Sequence, residues 1–255
     1  MTIVAVVGDA CTTTTVALAS AWPAASEALI VEADPTGGDL TAWLDLPILP
    51  SLSTVVTSAL DASWSEIDRH TRVASSGVRI IPAPPSAAEA RHAVAQSARS
   101  LAPTLAALRS PVAIVDAGAM PDSRTDHPLV ACATVAVVVH RQRPESAPAA
   151  AVRLQRLADQ LTAMASDEAA VVVAVIGGEP FDFDQIEAFV ADAAGDTTVV
   201  GLPVDGLTAA TYAGRPGVSA RRLARLPLAR AARRLADVVE RAVDERAPSM
   251  SRSWR

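Results

Sequence analysis

The sequence predicts an α/β fold: a doubly wound, mainly parallel sheet of seven to eight strands with helices on both faces, in a single domain over residues 1–247. Three observations carry this expectation. Seven short apolar runs rich in β-branched residues punctuate the chain. Each run is continuous rather than alternating, as strands covered on both faces are. Helical patterns fill most of the intervals between them.

Taken in order, Thr2–Val7 is the first run and ends at Gly8; a threonine-rich turn then leads into a helix that opens with VALASAW. Ala28–Ala33 is the second run, ended by Asp34-Pro35 and Gly37-Gly38. Residues 48–77 are the least regular and are expected to hold two short helices. Val78–Ile81 is the third run, closed by PAPP, and Ser86–Leu108 follows as an alanine-rich helix with Leu101, Leu105 and Leu108 at helical spacing. Val112–Val115 ends in Asp116-Ala117-Gly118. Thr134–Val139 precedes a helix over Glu145–Met164 that carries Val152, Leu154, Leu157 and Leu161. Val171–Ile176 precedes a helix over Phe183–Ala194, for which Asp182 is available as N-cap. Thr197–Leu202 is the seventh run. The last helix, Ser219–Ala247, repeats Leu223, Leu226, Leu235, Val238, Val239 and Ala242 on one face and arginine on the other, with Pro227 bending or splitting it. The tail 248–255, which contains Trp254, reads as disordered.

Composition narrows the chemistry. All 22 basic residues are arginine. Without lysine there is no Schiff base, no lysine general base and no phosphate-binding lysine. Cys11 and Cys132 make neither a disulfide framework nor a CxxC pair, which fits a cytoplasmic chain. The four histidines, His70, His92, His127 and His140, have no metal-ligand spacing. The start MTIVAVVGDA has no basic segment of the kind a secretory leader carries, and no apolar run approaches the roughly 20 residues of a membrane span. Charge is unevenly placed: residues 215–255 carry +7 and residues 1–214 carry −13. The basic end is either a solvated helix face or a surface for an anionic partner, and Arg221, Arg222, Arg225, Arg230, Arg233 and Arg234 are the candidate contacts.

A strand ending in glycine, a tight loop and a threonine-capped helix make the setting of a phosphate-binding loop. LIVEADPTGGDL, VAIVDAG and VVGLPVDG then follow in that order at strand ends. On these segments the chain resembles the ParA/MinD family of P-loop ATPases, from about Thr2 to Ala242, and looks most like its actinobacterial MinD-like branch. The resemblance implies a P-loop NTPase fold of MinD/ParA type. It implies that Asp34 is the catalytic aspartate that helps place Mg²⁺ and the attacking water, and that Asp116 is the Walker B aspartate holding the Mg²⁺ shell. Gly118 matches the small residue of the switch loop, and Pro203 and Asp205 match the loop laid against the base. PLARAARRLADVV resembles the family's last helix. Gly8, Thr12, Thr13, Thr14 and Thr15 fall in the nucleotide loop, with Thr14 or Thr15 as the Mg²⁺-binding hydroxyl according to the alignment chosen.

The loop departs from the family form K-G-G-x-G-K-[ST]-[ST], since this chain has GDACTTTT. Both alignments lose the lysine and the glycine before it, and one puts Asp9 where the family has its signature lysine. A threonine hydroxyl cannot supply the positive charge that phosphoryl transfer needs. β-Branched threonine resists the φ > 0 that turns backbone N–H groups toward phosphate. An arginine could reach the loop only from elsewhere in the fold or from a partner, because none lies between Met1 and Arg69. TTTT can also be read as an N-cap and first helical turn, and Asp34 and Asp116 as loop-structuring groups. Glu32 reads as structural, and Asp122, Asp126 and His127 as solvated loop residues. Cys11 lies near a helix N-terminus, a position that lowers a thiol pKa.

These readings lead to an expectation of a degenerate MinD/ParA-like scaffold or regulator that has lost efficient ATP hydrolysis. No cofactor is expected; ATP and Mg²⁺ enter only if the altered loop still binds them. The alternatives are a working ATPase with an unorthodox loop, for partitioning, positioning or secretion and pilus assembly, and a DNA- or membrane-binding module that uses the arginine-rich C-terminal helix. A protein partner is expected, as a homodimer or as a heteromer with an intact MinD/ParA-like ATPase. The implied location is cytoplasmic, at the periphery of membrane or nucleoid.

Overall fold

Continuous apolar runs need cover on both faces, and the chain supplies it by folding helices to either side of one sheet. The structure, a computed structural model, describes residues 2–23, 28–58, 64–74, 76–107, 111–165, 169–215 and 218–246. Its elements run β1 (Ile3–Gly8), α1 (Cys11–Ala21), β2 (Ala28–Glu32), α2 (Leu40–Trp43), α3 (Leu52–Thr57), α4 (Trp64–Arg69), β3 (Arg72–Val73) and β4 (Arg79–Ile81). They continue with α5 (Ala87–Ser97), α6 (Leu101–Ala107), β5 (Val112–Asp116), a 3₁₀ turn at Arg124–Asp126, α7 (Pro128–Ala131), β6 (Val135–Arg141), α8 (Ala147–Met164) and β7 (Ala170–Ile176). The chain closes with α9 (Phe183–Ala194), β8 (Thr198–Leu202), α10 (Gly206–Tyr212), α11 (Ala220–Leu223) and α12 (Pro227–Arg246).

The sheet has eight strands in the order β3-β4-β2-β5-β1-β6-β7-β8. All neighbours pair in parallel except the short edge strand β3, which is antiparallel to β4. β1 sits at the centre, with Val4 opposite Ile114 on one side and Val135 on the other. Its side chains alternate between the two cores. Ile3, Ala5 and Val7 enter the layer with α3, α5–α9, while Val4 and Val6 enter the layer with α1 and α12. Val4 through Val7 are wholly buried, each valine side chain contributing about 1.5–3 kcal/mol. Alanines Ala231, Ala232 and Ala236 let α12 lie close against α1, and its arginines face outward.

The expected elements are present, three stretches differ from expectation, and the short helices α2, α7 and α10 and the 3₁₀ turn are additional. The helix over Ser86–Leu108 is two helices, because Pro103 cannot donate to a preceding turn and is tolerated only in the first turn of a new one. Pro227 likewise splits the last helix and starts α12 at the position that suits proline. Residues 48–77 hold the two short helices α3 and α4 but also β3. Leu108, Ala247 and the tail 248–255 lie outside the described residues. Among the described residues no helix is long and apolar enough to cross a membrane.

Candidate functional site

Ligand crevices of open parallel sheets lie beyond the carboxyl ends of the central strands. Here β1, β5 and β6 end side by side, and the loops after them are tied together. Gly8 turns with φ 107°, and a Cβ on it would stand 2.4 Å from the Val139 carbonyl oxygen. The Gly8 N–H donates to Gly118 O and the Asp9 N–H to Val139 O, both at 3.0 Å. Only Asp9 and Ala10 separate β1 from α1. Ala10 takes the left-handed conformation, φ 54° and ψ 34°, and offers no side-chain cap to the helix.

Thr12, Thr13, Thr14 and Thr15 therefore lie inside α1 rather than in a loop. The first-turn reading holds for them, but the cap is Ala10 and not a threonine. The Thr14 hydroxyl donates back to Ala10 O at 3.1 Å. Thr15 is fully buried and its hydroxyl has no hydrogen-bond partner among the described residues.

The structure brings the two aspartates to the same crevice. Asp116 is completely buried at the end of β5. Its Oδ1 accepts the Gly118 N–H at 3.3 Å, while Oδ2 has no hydrogen-bond partner among the described residues. Burial raises its pKa; the Thr12 and Cys11 side chains beside it pull the other way, and the Asp34 charge adds to the rise. Asp34 is half-buried and structures its own turn, accepting both the Thr36 N–H and the Thr36 hydroxyl at 2.7 Å. Among the described residues no group of three or more His, Cys, Asp or Glu side chains is placed to hold a metal ion.

Cys11 and His127 depart from their sequence readings, whereas Asp122 and Asp126 are exposed and Glu32 is structural, as read. Burial pushes the Cys11 thiol above its ordinary pKa, and the Asp116 charge pushes it further, the reverse of activation at a helix N-terminus. His127 is buried rather than solvated: Nε2–H donates to Ala33 O at 2.9 Å, Nδ1 accepts the Val130 N–H, and burial lowers its pKa. Asp126 caps the 3₁₀ turn by accepting the Ser123 N–H. Glu32 is structural as expected, accepting the N–H groups of Asp39, Leu40 and Ala83.

Pro203 and Asp205 lie across a cleft from α1. The cleft encloses about 170 Å³ and is lined by Ala10, Thr13, Thr14, Arg141, Pro203, Val204 and Asp205, among others. Asp205 itself caps α10, accepting from the Thr208 N–H and hydroxyl, and reaches the Leu228 N–H at the start of α12. Burial alone would raise its pKa, but these hydrogen bonds outweigh it and hold the carboxyl below its ordinary value.

Sequence reasoning missed the arginines at this site. Arg143, just past β6, and Arg153, on α8, each place an Nη2 atom 3.2 Å from a different oxygen of Asp9. Arg141 lines the cleft. The signal was the basic stretch HRQR at the end of the strand beside β1. The other candidate arginines are elsewhere: Arg221, Arg222, Arg225, Arg230, Arg233 and Arg234 lie exposed on α11, α12 and the turn between them, and none makes an ion pair among the described residues.

No protein-family model matches the chain, and no curated protein matches it. Solved structures do match in fold. Cobyrinic acid a,c-diamide synthase from Mycobacterium smegmatis, with bound ATP analog and magnesium, is 19% identical with a TM-score of 0.60, covering 94% of this chain and 95% of that one. A ParA family ATPase from Chlorobium tepidum is 14% identical with a TM-score of 0.65, covering 92% and 98%. The MinC:MinD cell division protein complex of Aquifex aeolicus is 15% identical with a TM-score of 0.65, covering 94% and 96%. The chain therefore has the fold of ParA- and MinD-type P-loop ATPases.

Proposed function

We propose that the chain is a degenerate MinD/ParA-like protein that acts as a scaffold or regulator and does not run an ATP hydrolysis cycle. The supporting observation is the loop after β1. It has no lysine, its turn is two residues long, and the Gly8 and Asp9 N–H groups are bonded to Gly118 and Val139 carbonyls rather than left open. A magnesium nucleotide held as the resemblance implies does not fit these residues. The Thr14 hydroxyl is turned onto Ala10 O, the Thr15 hydroxyl is shut away in the core, and Asp9 would set a carboxylate beside the phosphates. The reading is tested by titrating Mg·ATP into the purified chain. Negligible binding and turnover are expected; micromolar binding with turnover abolished by Asp116→Ala would overturn it.

The basic face of α11 and α12 supports a second role alongside the first, as a surface for an anionic partner. Six exposed arginines that make no ion pair among the described residues, on a chain of net charge −6, make a local positive field. DNA is the favoured partner, with an anionic membrane as the alternative, so that the protein would sit at nucleoid or membrane surface within the cytoplasm. Binding to DNA should fall steeply between about 50 and 200 mM salt. A gel shift absent at low salt, or insensitive to it, argues against DNA, and vesicle flotation tests the lipid version. A homodimer, or a heteromer with an intact ATPase of the same fold, is the protein assembly this reading favours; analytical ultracentrifugation of the chain alone distinguishes them.

A further inference from the structure

Asp9 is gripped by two guanidinium groups that the loop motif does not account for. Arg143 Nη2 meets Asp9 Oδ1 and Arg153 Nη2 meets Oδ2, each at 3.2 Å. Arg153 is itself fixed in place: its Nη2 also donates to Arg141 O at 2.9 Å and its Nε pairs with Glu145 at 3.1 Å. Its side chain is only 21% exposed. Two arginines closing on separate oxygens of one small anion is the arrangement that phosphate groups receive from proteins. In this chain the anion is the protein's own carboxylate. The two acids and two arginines balance, and buried His140 beside them is held toward its neutral form. Removing Asp9 would leave this corner of the crevice with a net positive charge and an oriented pair of donors.

We propose that Arg143 and Arg153 form a receptor for a phosphate-bearing anion and that Asp9 closes it from within. The proposal rests on the reading that the loop no longer holds Mg·ATP, and it adds that the site keeps an anion-binding capacity supplied from the segment after β6 and from α8. An outside anion must displace Asp9, so its apparent affinity is reduced by the fraction of molecules in which the pair is free; a latch closed in about nine molecules of ten weakens binding about tenfold.

The test is calorimetric titration of inorganic pyrophosphate, without metal and at low ionic strength, into the wild type, Asp9→Ala and Asp9→Ala/Arg143→Ala. Arg143 is chosen because its side chain is 56% exposed and its removal leaves the Arg153 anchors intact. Asp9→Ala should bind pyrophosphate at least about tenfold more tightly than the wild type, and the double variant should lose that gain. Asp9→Asn, which keeps the shape of the side chain, should move in the same direction as Asp9→Ala. Equal binding by wild type and both Asp9 variants, or a gain that survives Arg143→Ala, overturns the proposal. Mg·ATP binding by the wild type would instead sink the preceding reading, and leaves this comparison to be judged on its own result.

Discussion

The Asp34 carboxylate lies directly over the Cα of Gly118: a Cβ on Gly118 would stand 2.3 Å from the Asp34 Cγ. The contact joins the loop after β2 to the loop after β5, and Gly118 has φ 74° at that point. Gly118→Ala is therefore expected to lower stability by about 2–3 kcal/mol, from left-handed strain of roughly 1–2 kcal/mol plus the clash. Adding Asp34→Ala should recover the clash but not the strain. Urea denaturation of the two single variants and the double variant measures the coupling, and strict additivity would contradict the contact.

Ala10 is the reverse case, an alanine in the left-handed conformation that suits glycine. A left-handed alanine costs roughly 1–2 kcal/mol, and glycine removes that cost while adding about 0.4–1 kcal/mol of unfolded-chain entropy. Ala10→Gly should stabilise the protein by about 0.5–1 kcal/mol. A fall in thermal midpoint would mean that the left-handed turn is not populated.

Glu32 sets a pH dependence. Burial outweighs its three N–H donors and pushes its pKa from an ordinary 4.5 up to about 7. A carboxyl protonated more readily in the folded chain stabilises the fold below the unfolded value and loses that contribution as pH rises through about 7. His127 and His140, lowered by burial, act with the opposite sign, favouring the fold as pH rises toward 6.5. The comparison is thus between proteins: the stability of wild type relative to Glu32→Gln should decline by about 2–3 kcal/mol from pH 5 to pH 8. A pH-independent difference in urea melts would show that Glu32 is ionised throughout.

The two thiols should separate cleanly. Cys132 is exposed, whereas Cys11 is buried with its pKa pushed up by burial and by Asp116. Maleimide labelling of the native protein should modify Cys132 alone, and Cys132→Ser should leave no rapid reaction. Fast labelling of Cys11 in that variant would show that α1 opens at its first turn.

The fold was legible because its signals are local. Continuous apolar runs marked the parallel strands, Asp182 marked the start of α9, and Pro227 marked the break before α12. The positions of Asp34 and Asp116 at one crevice followed from their places at strand ends. The site's wiring was not legible, because it joins residues far apart in sequence. Asp9 meets Arg143 and Arg153 across 134 and 144 residues, and His127 meets Ala33 across 94. Cys11 shows a local rule overridden: the helix N-terminus favours its thiolate, but burial against a carboxylate dominates. The threonine run was ambiguous because loop and first turn differ only in where the helix begins, which depends on the strand-to-strand bonds of Gly8 and Asp9.

The Gly8 N–H to Gly118 O bond has one more effect. It clasps the end of β1 to the loop after β5, so that the two segments are held together by the chain itself. On the reading proposed here, no hydrolysis step resets this clasp between one encounter and the next. Occupancy of a partner is then governed by affinity and by how much of each protein the cell makes, and the molecule keeps no time.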